Sequence, residues 1–328
     1  MKNSFKFVFL ICAAAITLQA QTPPTSGQQP DDEVLRISTS LVAVPVTVKT
    51  RQGTYIPNLR REDFRIYEDG IEQEVSNFET IDAPFTVILM LDVSDSTRIK
   101  LREIQNAACA FLNQLRPSDR ALIVSFDRQL SVLSSATGDR KVLADAINHV
   151  QTGGGTAIYD AIEVTISSQL KQIPGRKAVV VLTDGVDTAS LHATYESTLR
   201  LATEQYALIY AIQYDTPSDV KARQPNDQFG LVTYTTPSGE PLNKAYERGT
   251  RYLRSIAGIS GGSFHYSDTV KNLEKSFARI AEELRQQYSL SYYPKTPNSK
   301  SGKRRLKIIV SVPQAIVHAR DSYAYKSN

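Results

Sequence analysis

Four stretches of this chain are apolar almost without a break: residues 85–91, 121–126, 178–182 and 207–212. Strands that bury only one face alternate apolar with polar residues, so continuous runs of this length belong to strands covered on both sides. Each run is joined to the next by sequence with helical periodicity, and strands alternating with helices form a mainly parallel sheet with helices on both faces. Helices are predicted over 99–115, 141–149, 157–172 and 194–204, followed by 251–257 and 270–285. The expectation is a doubly wound α/β domain over residues 84–285, about 200 residues long, which is an ordinary domain size.

Outside those limits the pattern changes to alternation. Before Pro84, residues 41–48, 63–70 and 72–78 read as three strands, the second ending in an Asp69-Gly70 turn. After Gln286, residues 288–293, 306–312 and 316–320 alternate in the same way. Short antiparallel strands need a second sheet to cover their apolar face, and each flank lacks one. Segments 33–83 and 286–328 are therefore expected to join in one small β-sandwich, with the α/β domain inserted between them. The segment 215–249 fits neither pattern, since it holds Pro217, Pro225, Pro237 and Pro241 and one short strand-like piece at 229–235. It reads either as a surface flap or as part of a ligand-facing surface.

At the amino end, Lys2 and Lys6 precede an apolar run over 7–16 that closes on small and polar residues at 17–20. That is the plan of a signal peptide, residues 1–20, cleaved after Ala20. No later run reaches the roughly 18 apolar residues that a membrane-spanning helix requires. The expected mature chain is exported, periplasmic or extracellular, with no transmembrane segment. Cys12 follows Ile11, where lipoprotein processing would want a small residue. A leader over 21–32 is rich in Gln, Pro, Thr, Ser and Gly and too poor in apolar side chains to order itself.

With the signal segment removed, Cys109 is the single cysteine, so no internal disulfide can form. It reads as a small buried hydrophobe, with a reactive thiol as the alternative. The formal charge of +4 argues against nucleic acid as a partner. Lys300, Lys303, Arg304 and Arg305 cluster around Gly302 between two strand-like runs, which suits a solvated hairpin loop or, alternatively, a phosphate- or membrane-facing patch.

The residues with chemical interest stand where the parallel strands end. One strand runs into Asp92-Val93-Ser94-Asp95-Ser96, another into Thr183-Asp184-Gly185, and Gly153-Gly154-Gly155-Thr156 opens a helix. In open α/β sheets, ligands bind in the crevice beyond the carboxyl ends of the strands, and these three loops should converge there. Taken singly each has a plain reading: Ser and Asp after a strand cap helices, Thr-Asp-Gly makes turns, and a glycine run is a flexible helix entry. Together they offer hydroxyl and carboxylate oxygens with no nitrogen or sulfur, the donor set of Mg²⁺ or Mn²⁺. Ser94, Ser96 and Thr156 can supply neutral oxygens, while Asp92 and Asp184 hold bound waters or coordinate when the site rearranges.

Asp92-x-Ser94-x-Ser96 with Thr156 and Asp184 downstream resembles the metal-ion-dependent adhesion site of the von Willebrand factor type A family. The likeness runs from about residue 84 to 285. What it implies is a six-stranded sheet with a Mg²⁺ or Mn²⁺ at its top edge, held by these five positions and completed by an acidic side chain of a partner. The flanking strands and signal peptide look like a bacterial exported subgroup of that family. No Gly-x-Ser-x-Gly elbow, His-Glu-x-x-His or phosphate-binding Gly-x-x-x-x-Gly-Lys occurs, and the glycines at 258–262 follow a helix instead of opening one. His149, His192, His265 and His318 are widely spaced. The expectation is a noncatalytic, metal-dependent, adhesion-type module that binds a carboxylate on a protein partner. Its rivals are a structural or assembly component whose metal only stabilises the fold, and a metal-dependent hydrolase.

Overall fold

The computed structural model describes residues 41–98, 100–204, 207–214, 235–295 and 302–325. The expected signal peptide and leader, Lys300, and nearly all of the strand-like piece at 229–235 lie outside the described residues.

A six-stranded sheet forms the centre, in the order β10-β9-β8-β5-β6-β7. Four of its strands are those read from the apolar runs: β5 (Phe85–Asp92), β6 (Arg120–Phe126), β8 (Arg176–Thr183) and β9 (Ile209–Tyr214). They are parallel to one another, as is β10 (Phe264–Ser267) to β9, while β7 (Leu130–Val132) runs antiparallel at the far edge. The run through β5 is continuous because its residues feed two cores in alternation. Val87, Leu89 and Leu91 pack with α1 (Leu101–Gln114), α2 (Arg140–Asn148) and α6 (Val270–Arg285) on one face. On the other, Ile88 and Met90 pack with α3 (Ile158–Val164), α4 (Tyr195–Glu204) and α5 (Leu242–Ser260).

Two elements differ from their expected limits. The helix expected over 157–172 narrows its regular part to α3 and continues through a wide π turn and a 3-10 turn to Gln172. The helix expected at 251–257 begins nine residues sooner, at Leu242, directly after Pro241 at its cap. Gly249, the last residue of the segment that fits neither pattern, lies inside it on the buried face with Ala245, Tyr252, Leu253 and Ile256.

The flanking strands meet as two four-stranded antiparallel sheets. One has the order β13-β1-β11-β4 and the other β14-β12-β2-β3. In the first, β1 (Val42–Lys49) pairs with β11 (Gln287–Tyr292) and β13 (Ile316–His318), and β11 also pairs with β4 (Asn77–Glu79). In the second, β12 (Gly302–Val310) lies between β2 (Phe64–Glu68) and β14 (Ser322–Tyr325), and β3 (Ile71–Gln73) completes the hairpin through Asp69-Gly70. Val44, Val46, Ile66, Tyr288, Leu290 and Tyr323 share one core. The single strand expected over 72–78 is two strands in different sheets, because the chain crosses the sandwich with Val75 buried between them.

The described part of the basic cluster, residues 303–305, is also not a loop. β12 starts at Gly302, so Lys303 and Arg305 point outward while Arg304 turns into the protein. There its guanidinium meets Glu68 at 3.1 Å, and Glu68 accepts hydrogen bonds from the hydroxyls of Tyr292 and Tyr323 at 2.6 and 2.8 Å. A charge buried this deeply is tolerated only with partners of that kind.

Arg176 joins the two parts of the molecule. It opens β8, is almost fully buried, and donates to the carbonyls of Ala83 at 2.5 Å and of Leu284 and Gln287 at 2.7 Å. Those acceptors lie on the two chain segments that lead into and out of the α/β part. Loss of water around the guanidinium, only partly offset by Glu79 and Asp119, pulls its pKa below the usual arginine range. Arg176→Leu should lower stability by about 3 kcal/mol, since several buried carbonyls lose a charged donor together. Chemical denaturation of the two proteins side by side checks it.

Candidate metal centre

β5 connects onward to β6 on one side of the sheet, whereas β8 and β9 are laid down on its other side. The direction of winding therefore reverses between β5 and β8, and the carboxyl ends of these two strands form the crevice where open α/β sheets bind ligands. Asp92 is the last residue of β5 and Asp184 follows the last residue of β8.

The first loop turns at once into a 3-10 turn, Asp95–Thr97, with Ser94 at its cap. The Ser94 side chain makes no capping hydrogen bond. Its carbonyl is instead held by the Thr97 amide and hydroxyl, and its own hydroxyl lies 3.0 Å from that of Ser96. Ser96 donates to Asp184 Oδ2 at 2.9 Å, and the other oxygen of Asp184 accepts the Val186 amide at 3.0 Å. Asp92 Oδ1 accepts the Ser94 amide at 3.0 Å, and Oδ2 accepts the Thr183 hydroxyl at 2.6 Å.

Thr156 arrives by backbone. Gly153 donates to the Val93 carbonyl at 2.8 Å, which ties the second loop to the first. The Thr156 amide donates to the Thr188 hydroxyl at 2.9 Å and its carbonyl accepts the amides of Thr188 and Ala189 at 2.8 and 3.0 Å, which ties it to the third. Among the described residues its hydroxyl makes no hydrogen bond to Asp92, Ser94, Ser96 or Asp184. The structure thus gathers all three loops, links Ser94, Ser96 and Asp184 side chain to side chain, and joins Asp92 to them through the Ser94 amide. Of the two nearby acids read as solvated, Asp95 is exposed and paired with Arg98, whereas Asp187 is half-buried and accepts the Ser190 hydroxyl at 2.5 Å.

Asp92 is fully buried, and Asp184 and Ser94 are nearly so. Burial first, then the charge of Asp184, push the Asp92 carboxyl up to about 7. Two acids confined in this way repel each other when both are ionised. Among the described residues no three His, Cys, Asp or Glu side chains gather as a metal cage. The oxygens on offer are hydroxyls backed by two carboxylates, which fits a hard divalent ion and not a soft one.

Thr183 was not among the expected site residues. Its hydroxyl donates to Asp92 and accepts the Gly185 amide at 3.0 Å, so it fixes both acids in relation to each other. The only sequence signal is its place at the end of an apolar run directly before Asp184. Beside the crevice, a cavity of about 500 Å³ is lined by Tyr159, Asp187, Tyr195, Glu196, Arg248 and Arg251, residues that follow the second and third loops or face them from α5.

Residues 87–186 match the von Willebrand factor type A domain family, a span that contains all five positions. A protein with this winding, this crevice and this match carries a von Willebrand factor type A domain. Among curated proteins the chain is similar to a UPF0353 protein of Mycolicibacterium gilvum, 24% identical over 216 residues, covering 60% of each. The chain thus spans about three fifths of that relative's length. Similar solved structures include a von Willebrand factor type A protein from Catenulispora acidiphila, 11% identical with a TM-score of 0.49, covering 80% of this chain and 72% of that one. Another is proximal thread matrix protein 1 from the mussel byssus with a zinc-occupied MIDAS motif, 16% identical with a TM-score of 0.47, covering 66% of this chain and 49% of that one.

A β-carbon at Gly153 would stand 1.6 Å from Asp127 Oδ2, so a side chain there must turn aside the carboxylate that holds the Gln129 amide. Gly153→Ala should therefore disturb the junction of β6 with the second loop and lower stability by about 1 kcal/mol. Thermal denaturation gives the stability change, and amide chemical shifts of Gly154 to Thr156 report the loop.

Proposed function

We propose that this is an exported, noncatalytic binding module that uses a divalent ion, Mg²⁺ or Mn²⁺, to engage a carboxylate on a partner protein. The observation that carries this reading is the state of Ser94. Its hydroxyl stands at a helix-cap position, is not used for capping, and is turned instead toward Ser96 and through it toward Asp184. Ser94, Ser96 and Thr156 would hold the ion, with Asp92 and Asp184 supplying negative charge and orienting the hydroxyls. When bound, the ion would offer positive charge left unneutralised by its largely neutral ligands, and so an attraction for an outside carboxylate.

What supports binding over catalysis is that both acids are already engaged by Ser96, Thr183 and loop amides, so neither stands ready as a base. Export rests on the pattern of Lys2, Lys6 and the apolar run over 7–16. Among the described residues no helix is long and apolar enough to cross a membrane. The neighbouring cavity, lined by Arg248, Arg251, Tyr159 and Tyr195 among others, would receive the residues beside the partner's carboxylate.

Calorimetric titration with Mn²⁺ tests the ion. Ser94→Ala and Thr156→Ala should each weaken binding by about tenfold or more, the loss of one direct ligand, while the metal-free melting temperature stays within a few degrees. Equal affinity in both variants and the parent would exclude the five residues as the site. Binding to any partner captured from the native envelope should vanish in chelator.

A further inference from the structure

Helix α5 touches the candidate metal site from below at two points. The first is steric: a β-carbon at Gly249 would lie 2.4 Å from the Gly185 carbonyl oxygen and 2.7 Å from its carbon. Gly185 has φ +85°, and a β-carbon on it would stand 2.9 Å from Leu253 Cδ1 of the same helix. Two glycines in different elements thus let the backbone of α5 rest directly against the turn that carries Asp184. The second point is polar. Gln213 of β9, almost fully buried, donates from Nε2 to the Asp184 carbonyl at 2.8 Å. Its Oε1 lies 3.0 Å from the Thr250 hydroxyl, whose single proton is shared with the Tyr246 carbonyl at 2.9 Å.

We propose that α5 sets the strength of ion binding, with Gly249, Thr250 and Gln213 as positioning residues that hold the Asp184-Gly185 turn in place. None of the three offers a side-chain atom to the ion. They act on the backbone of Asp184 and Gly185, and the Asp184 carboxylate then fixes Ser96. A turn at positive φ in contact with a helix backbone cannot shift by a few tenths of an ångström without breaking one contact or the other, which makes α5 a rigid stop behind the site. The inference rests on the ion-binding reading given above.

The test uses the full chain, with Mn²⁺ as the probe and amide hydrogen exchange of Gly185 and Val186 in the metal-free protein as a second readout. Gly249→Ala should weaken Mn²⁺ binding by at least tenfold and speed exchange at both amides. Gly258→Ala, on the same helix with open space around it, should change neither. Because Gly249→Ala can also impair folding, Thr250→Val and Gln213→Leu provide the milder arm. Gln213→Leu removes both the donor to the Asp184 carbonyl and the acceptor of Thr250, whereas Thr250→Val removes only the shared hydroxyl. Each should weaken binding by about threefold to tenfold, and Thr250→Ser should restore the parent value. Unchanged affinity and exchange in Thr250→Val and Gln213→Leu would overturn the proposal, as would an equal loss in Gly258→Ala. If the parent protein takes up no Mn²⁺, the ion-binding reading falls by itself. The exchange arm then decides whether α5 holds the Asp184 turn.

Discussion

Side-by-side pairing of β5 and β8 is the contact from which the rest follows. Their register runs from Phe85 opposite Arg176 to Leu91 opposite Leu182, and helices cover both faces along that length. The two strands therefore end together, with the chain leaving in opposite directions. At that end polar side chains can gather without being buried among aliphatic ones. Asp92, Ser94 and Asp184 nevertheless sit almost without solvent contact, and their hydrogen bonds with Ser96, Thr183 and loop amides make that tolerable. The site is a consequence of where the sheet stops.

Much of this was legible in the sequence, for a physical reason. A strand buried on both faces has no polar positions to confuse the pattern, so β5, β6, β8 and β9 stood out. β7 and β10 are short edge strands with exposed positions, Val132 and Tyr266 among them, and their sequences carry no comparable signal. The start of α5 was hidden by the prolines of the 215–249 segment, the last of which, Pro241, caps the helix instead of excluding it. Arg304 was hidden by its neighbours: three cations in a row say nothing about which one faces inward until the strand phase is known. Of the site, the five named residues lie on three loops that do converge. Thr183 and Gln213 were not legible, because their roles come from strands that are neighbours in space and distant in the chain.

The two small sheets give the α/β part its frame. Arg176 reaches from the first residue of β8 to carbonyls on both crossing segments, so one side chain reports to the central sheet and to its surroundings at once. On the far side of the sandwich, Arg304 does similar service among Glu68, Asp69 and two tyrosines. Both are buried cations satisfied largely by fixed acceptors, an arrangement that tolerates little relaxation and so sets one relative placement of the strands they join.

The pairing of β4 with β11 has a mechanical side. Glu79 lies opposite Ser289, so the chain enters and leaves the α/β part through adjacent antiparallel strands. Tension applied between β1 and β14 passes across the ladders of the sandwich, and the stretch from Pro84 to Gln286 hangs from it as a closed loop outside the line of pull. The loops of the candidate metal centre would keep their spacing under traction for as long as those ladders hold.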